Sequence, residues 1–176
     1  MRARLRAEQG FGLIELLMAM VMLNIGILAI VASFNSGIFA LNRASRITTA
    51  SALADSQMEL YRALKYPAIA LDTTTLAGVD NTYKCDSALG GSCPNSTSGE
   101  INVTCSGSPL PNECLPSRSV TGADRKNYRV DTYITSSTPS GGRALKVVTV
   151  VVRDGSKLSA RPLARVASTF DQSTGS

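Results

Sequence analysis

The 176-residue sequence predicts an α+β fold: one long N-terminal helix packed on a small antiparallel sheet, with disulfide-stapled loops between them. Three observations predict it. Phe11 to Ala32 is a predominantly apolar run with a single ionisable residue, Glu15. Ile47, Ala50, Leu53, Ala54, Leu60, Tyr61 and Leu64 continue it at helical spacing, with polar residues between. Three β-rich stretches, separated by glycine-containing turns, fill the last third of the chain. A helix with an apolar stripe and a sheet with an apolar face bury each other.

Residues 1–10 form a short leader carrying Arg2, Arg4 and Arg6. About 20 apolar residues span a bilayer core, and a spanning segment satisfies its backbone polar groups internally, so residues 11–34 read as the transmembrane half of a helix. The arginines ahead of it keep the N-terminus cytoplasmic and send the bulk of the chain across. A secretory signal peptide has a shorter apolar region, about 7–15 residues, closed by a small-residue cleavage site. Here the nearest match, Ile30-Val31-Ala32-Ser33, fits poorly. Residues 35–66 form the amphipathic half, with Arg43 and Arg46 marking the exit from lipid. Pro67 ends the helix, because a residue before proline is pushed out of the α region. At 1.5 Å per residue, Phe11 to Leu64 makes a spine of roughly 80 Å, which suits a filament with a helical core.

Residues 67–119 read as a variable loop region in which only Ile101 to Thr104 has the look of a short strand. It holds all four cysteines, Cys85, Cys93, Cys105 and Cys114. Beyond the membrane disulfides persist, and four cysteines permit three pairings. The sequential pairing Cys85–Cys93 and Cys105–Cys114 closes two short loops rich in Gly, Ser, Pro and Asn, and is favoured on that ground. Zinc is the alternative use of four cysteines, but the chain has no His and no C-x-x-C spacing.

Residues 120–170 read as the sheet. Tyr128, Val130, Thr132 and Ile134 alternate with Arg129, Asp131 and Tyr133, the pattern of a half-buried strand. Leu145 to Val152 is a near-continuous β-branched run, predicted as the central strand. Leu163 to Phe170 supplies the third, with Ala164, Val166, Ser168 and Phe170 on one face. Pro139 to Gly142 and Asp154-Gly155 are the turns. The polar tail, residues 171–176, is expected to fray.

Composition removes most chemistry. Without His there is no Ser/His or Cys/His nucleophile. The carboxylates of Asp72, Asp80, Asp86, Glu100, Glu113, Asp124, Asp131 and Asp154 show no metal-loop spacing. Gly90-Gly91 and Gly141-Gly142 do not open helices, so no phosphate loop is indicated. The reading is therefore of a protein with no catalytic residues, no cofactor and no metal. Net charge is +5 for the whole chain, falling to +3 once Arg2, Arg4, Arg6 and Glu8 are set aside. Lys84, Arg118, Arg125, Lys126, Arg129 and Arg143 read as a solvated face rather than a nucleic-acid patch. With aromatics at 5% and no Trp, base stacking and hence DNA as a partner are disfavoured.

One stretch carries a resemblance. A basic leader ending in Gly10, then Phe11, a Glu five residues after the glycine and a long apolar helix resemble the class III signal of type IV pilins and pseudopilins. The string Phe11-Gly12-Leu13-Ile14-Glu15-Leu16-Leu17 is similar to that family's pattern, and Asn24-Ile25-Gly26-Ile27-Leu28-Ala29 most resembles minor pilins of the PilV type. Pseudopilin I of type II secretion is the next nearest. The specific resemblance covers roughly residues 8–64. Many major pilins carry a proline in the apolar run; this chain has none before Pro67, which points to a minor subunit. The resemblance implies a type IV pilin-like fold, cleavage between Gly10 and Phe11 by a prepilin peptidase, N-methylation of Phe11, and Glu15 facing the new amine in assembly. It implies as partners other pilins or pseudopilins met through the N-terminal helix, an inner-membrane assembly platform and the lipid bilayer. The expected location is the inner membrane, single-pass with the C-terminal domain outside the cytoplasm, and a surface pilus after assembly. The leading expectation is a minor pilin that is incorporated into a type IV pilus or primes its assembly. The alternatives are a type II secretion pseudopilin, a DNA-uptake or adhesive tip subunit, and a plain bitopic membrane protein.

Overall fold

A computed structural model of the protein describes residues 12–90 and 93–172. The chain divides into two compact units, Met1–Arg43 and Ala44–Ser176, and helix α1 (Leu13–Arg62) passes from one into the other.

In the first unit α1 starts with the Glu15 and Leu16 amides donating to the Gly12 carbonyl, at 2.9 and 3.2 Å. Every described side chain from Gly12 to Arg43 is exposed within the structure. Large apolar side chains such as Leu13, Met22, Leu28, Phe34 and Phe39 are among them. This stretch is long and apolar enough to cross a membrane. Nothing in its own fold covers it.

The second unit is α+β, and its α1 segment supplies a buried stripe of Ala50, Ala54, Gln57, Met58 and Tyr61. Leu60 lies about 100° round the helix from Tyr61 and is exposed, as is Ile47 near the start of the segment. The expected stripe holds at Ala50, Ala54 and Tyr61, with Leu53 and Leu64 partly buried against the core, while Gln57 and Met58 take the place of Ile47 and Leu60. The helix ends at Arg62, short of Pro67. Leu64 already makes a tighter bond to the Tyr61 carbonyl, Lys65 is extended, and Pro67 sits inside a 3₁₀ turn at Tyr66–Ala68.

The sheet is an antiparallel meander of four strands, β3 (Ser117–Thr121), β4 (Asn127–Ser137), β5 (Leu145–Asp154) and β6 (Ala164–Phe170), in that spatial order. Three were predicted; β3 is new. It has one apolar side chain, Val120, among Ser117, Arg118, Ser119 and Thr121, so no alternation marked it. β4 and β5 share the interior, and β6 alternates with Ala164, Val166, Ser168 and Phe170 on its more covered face. The Asp154 carboxylate accepts from the Ser156 amide and hydroxyl at 3.0 and 2.7 Å and shapes the turn after β5.

β4 corrects the sequence reading most. Tyr128 through Ile134 is buried on both faces, not one. On one face Val130 and Ile134, with Val148, Val150 and Val152 of β5, join the core that holds Ala50, Ala54, Met58 and Tyr61. The other face carries Arg129, Asp131 and Tyr133 and is covered by the segment after α1.

That segment is also less loop-like than expected. A parallel pair joins β1 (Leu71–Asp72) to β2 (Asn102–Val103). Helices α2 (Thr73–Ala77) and α3 (Asn81–Lys84) and a 3₁₀ turn at Ser87–Leu89 follow in series. Each begins on an aspartate: Asp72 accepts from the Thr75 amide, Asp80 from Tyr83 and Asp86 from Ala88, at 2.9, 3.0 and 2.8 Å. An aspartate N-cap is worth about 1 kcal/mol, so three caps order a stretch whose apolar content alone would not.

Candidate functional site

Among the residues singled out from sequence, Gly10 and Phe11 lie outside the described residues. Glu15 sits in the first turn of α1, where the helix dipole favours a carboxylate. Between Gly12 and Asn42 it is the one ionisable side chain. In the same stretch the Asn24 side-chain amide donates to the Met20 carbonyl at 2.9 Å. Further along, Ile30, Ser33, Phe34, Gly37, Ile38 and Leu41 line an open apolar groove. Ser33 and Gly37, one turn apart, leave it shallow enough for another backbone to approach.

The cysteines pair as Cys85–Cys93 and Cys105–Cys114, with Cα atoms 4.6 and 6.5 Å apart. The second bridge serves the helix. Residues between its cysteines present the Asn112 carbonyl to Gln57 Nε2 at 3.3 Å and the Glu113 carbonyl to the Tyr61 hydroxyl at 2.7 Å. Gln57 Oε1 accepts two bonds from Arg118 of β3, at 3.1 and 2.8 Å. A glutamine that is 1% exposed is tolerated because its amide is satisfied on both sides. Burial pushes the Tyr61 hydroxyl up to about 12.

The second face of the sheet carries an ion-pair ladder. Asp80 meets Arg129, Arg129 meets Asp131 at 2.7 Å, and Asp131 lies 3.5 Å from Arg153. Arg153 pairs with Asp86, which also holds Arg165 at 2.6 Å. Three acids alternate with three bases, so the layer is neutral. The Arg129 hydrogen bond draws Asp80 down to about 2. The inner charges, Asp86, Arg129, Asp131 and Arg153, are buried and stable only as a set, and the ladder fastens α3 and the turn after it to β4, β5 and β6.

Beside it is a buried carboxyl. Glu100, 4% exposed, bridges to Thr135 at the end of β4. The Tyr83 hydroxyl lies 2.7 Å from Glu100 Oε1 and 2.6 Å from the Thr132 carbonyl, while its ring stacks on Tyr133 at 4.3 Å. One hydroxyl proton serves one acceptor. Both contacts are hydrogen bonds when Glu100 is a neutral acid that donates to the Tyr83 oxygen while Tyr83 donates to Thr132. Burial pushes Glu100 up to about 7, against the pull of the Tyr83 bond. Nothing in the sequence marks Glu100, which follows a Gly- and Ser-rich stretch; its partners come from α3 and β4.

The six basic residues read together as one face are dispersed. Arg129 is buried in the ladder and Arg118 is bonded to Gln57. Arg143 lies in the β4–β5 turn, and Arg125 and Lys126 in the β3–β4 turn at the other end of the sheet. Among the described residues no group of three His, Cys, Asp or Glu is set to hold a metal ion. The chain matches no protein-family model, no curated protein and no solved structure.

Proposed function

We propose that the protein is a structural, non-enzymatic minor pilin: an inner-membrane subunit cut after Gly10 by a prepilin peptidase and assembled into, or priming, a type IV pilus. The observation that carries this reading is the pairing of the Gly10-Phe11 junction with a lone carboxylate in an exposed apolar helix. Cleavage at that junction puts an ammonium at Phe11, one turn before Glu15. An intramembrane carboxylate calls for a partner; ammonium and carboxylate attract strongly in low dielectric, and each offsets the other's desolvation. A neighbouring subunit's Glu15 and amine offer the same match, so the pair sets the register of helices in a filament. The exposed apolar face of α1, with Ser33 and Gly37 in its groove, supports close packing of like helices in or out of lipid. The disulfide-stapled α+β unit, held on the second part of α1, is the portion displayed.

Mass spectrometry of the membrane-extracted protein tests the reading. A chain beginning at N-methylated Phe11 is expected; a chain beginning at Met1 overturns it. Glu15→Ala is expected to leave membrane insertion intact and to lower incorporation into filaments. Wild-type amounts of the variant in sheared filaments count against the role given to Glu15.

A further inference from the structure

Four bases of the second unit that form no ion pair among the described residues gather at one end of it. The unit carries 14 Lys or Arg and 11 Asp or Glu, a balance of +3. At the end where α1 enters, the β3–β4 turn and the β5–β6 loop lie side by side, joined by the Gly155 amide donating to the Asn127 carbonyl at 3.0 Å. Arg46 of α1 reaches Asp154 at 2.5 Å, and Thr48, Thr49, Ala52 and Leu53 line one apolar depression with Ala123. Arg46, Arg125, Lys126, Lys157 and Arg161 lie at this end with Asp124 and Asp154, and Arg46 is paired with Asp154. The remaining nine bases and nine acids of the unit are spread over its middle and its other end. Arg125, Lys157 and Arg161 are exposed and Lys126 half-exposed. None of the four forms an ion pair among the described residues. Arg125 holds a left-handed φ of 59°, a position that Gly or Asn fills with less strain.

We propose that this basic end is a docking surface for anionic phospholipid headgroups of the membrane that α1 spans. The inference rests on the membrane-spanning reading of α1 and adds to it a lipid contact made by the second unit. The surface lies at the end of the unit where the chain enters it. Ala44 follows the last large apolar residue, Leu41, by three residues, so the chain enters the unit within about 10 Å of the end of the apolar run. The headgroup layer is roughly 5–7 Å thick on each side of the hydrocarbon, and an anionic surface attracts bases within about a Debye length, 8–10 Å. Each base near such a surface raises local affinity on the order of fivefold. The opposite end, with the β4–β5 turn and the end of α1, carries Arg62, Lys65, Arg143 and Lys146 with Glu59 and Asp171, but Arg62 is paired with Glu59 and Lys146 donates to the Tyr66 and Ile69 carbonyls. The contact holds the unit against the bilayer before assembly, and transfer out of the membrane breaks it.

Hydrogen exchange of the full chain tests this, in nanodiscs of pure phosphatidylcholine and of a phosphatidylcholine–phosphatidylglycerol mixture. Residues 122–127 and 155–161 are expected to exchange slower by about tenfold or more in the anionic discs. Raised salt and the triple variant Arg125→Glu, Lys126→Glu, Lys157→Glu are expected to abolish the difference. Exchange in the β4–β5 core is expected to stay the same in every condition, which keeps a misfolded variant from being read as a lost contact. Equal exchange in the two lipids overturns the proposal, as does a triple variant that keeps the protection. Duplex DNA protecting the same loops in neutral discs as strongly as the anionic lipid does assigns the surface to nucleic acid instead. A chain that fails to float with vesicles after alkaline extraction overturns the spanning reading itself, an outcome separate from the others.

Discussion

Glu100→Gln turns the buried carboxyl into an experiment. The ordinary value of 4.5 for this group is raised to about 7 in the folded state. Between those two values the native protein holds a proton that the unfolded chain has lost. Stability is therefore highest below about 4.5 and falls as pH rises to about 7, above which the loss is complete. At 1.36 kcal/mol per unit the shift corresponds to about 3 kcal/mol, and the site's place at the margin of the sheet brings the expected loss to about 2–3 kcal/mol. The structure explains the sign: once ionised, Glu100 has no cation beside it, its Oε2 is buried without a hydrogen-bond partner, and Tyr83 has one proton for two acceptors. Glutamine keeps the shape, stays neutral, and donates from its amide to Tyr83 as the neutral acid does. The variant is expected to match the wild type at pH 4.5 and to exceed it by about 2–3 kcal/mol at pH 8.5. The assay is urea unfolding of the full chain in nanodiscs, followed by near-ultraviolet dichroism of its five tyrosines. Parallel pH profiles for the two proteins, or a variant as much weakened at pH 8.5 as at 4.5, refute the reasoning. On the acid side Asp80, drawn down to about 2 by Arg129, contributes stability that is lost as pH falls from about 4 towards 2. The wild-type profile is therefore expected to peak in mildly acidic solution.

Asp86→Ala removes the shared partner of Arg153 and Arg165 and the cap of the turn after it, and is expected to cost about 3–5 kcal/mol, read by the same unfolding assay. Replacing Cys105 and Cys114 by Ser opens a short loop, for which chain entropy gives about 2.5–3 kcal/mol. It also frees the carbonyls that hold Gln57 and Tyr61, so exchange at residues 54–61 of α1 is expected to quicken more than in the β4–β5 core. Gly122→Ala places a Cβ 2.6 Å from Thr49 Cγ2 and 2.7 Å from Tyr128 Cε2, and the overpacking is expected to cost about 1–3 kcal/mol. A variant as stable as the wild type contradicts the tight fit of that turn.

Local signals carried much of the fold. Apolar periodicity and the helix-breaking context around Pro67 place α1 to within a few residues, and β-branched runs between glycine turns place β4, β5 and β6. Cysteine spacing suggested the short loops that the disulfides close. β3 stayed hidden because it is a polar edge strand, recruited by its pairing with β4 and by the Arg118–Gln57 bond rather than by its own side chains. The aspartate caps were written in the sequence as Asp72-Thr73-Thr74-Thr75, Asp80-Asn81-Thr82-Tyr83 and Asp86-Ser87-Ala88, yet the surrounding Gly, Ser and Pro masked them as loop.

By itself the sequence determined what depends on neighbours in the chain: an apolar run with one carboxylate, a basic leader before it, an amphipathic continuation and a set of strands. Only the tertiary structure decided what depends on residues distant in the chain. It turned Arg129 and Asp131 from solvent-facing strand residues into rungs of a neutral ladder with Asp80, Asp86, Arg153 and Arg165. It made Glu100 a buried acid by bringing Tyr83 and Thr132 to it, and it gathered Arg46, Arg125, Lys126, Lys157 and Arg161 at one end. The physical reason is that periodicity reports which face of an element is apolar, whereas the worth of a charge depends on the dielectric and the partners that folding brings within a few ångströms of it.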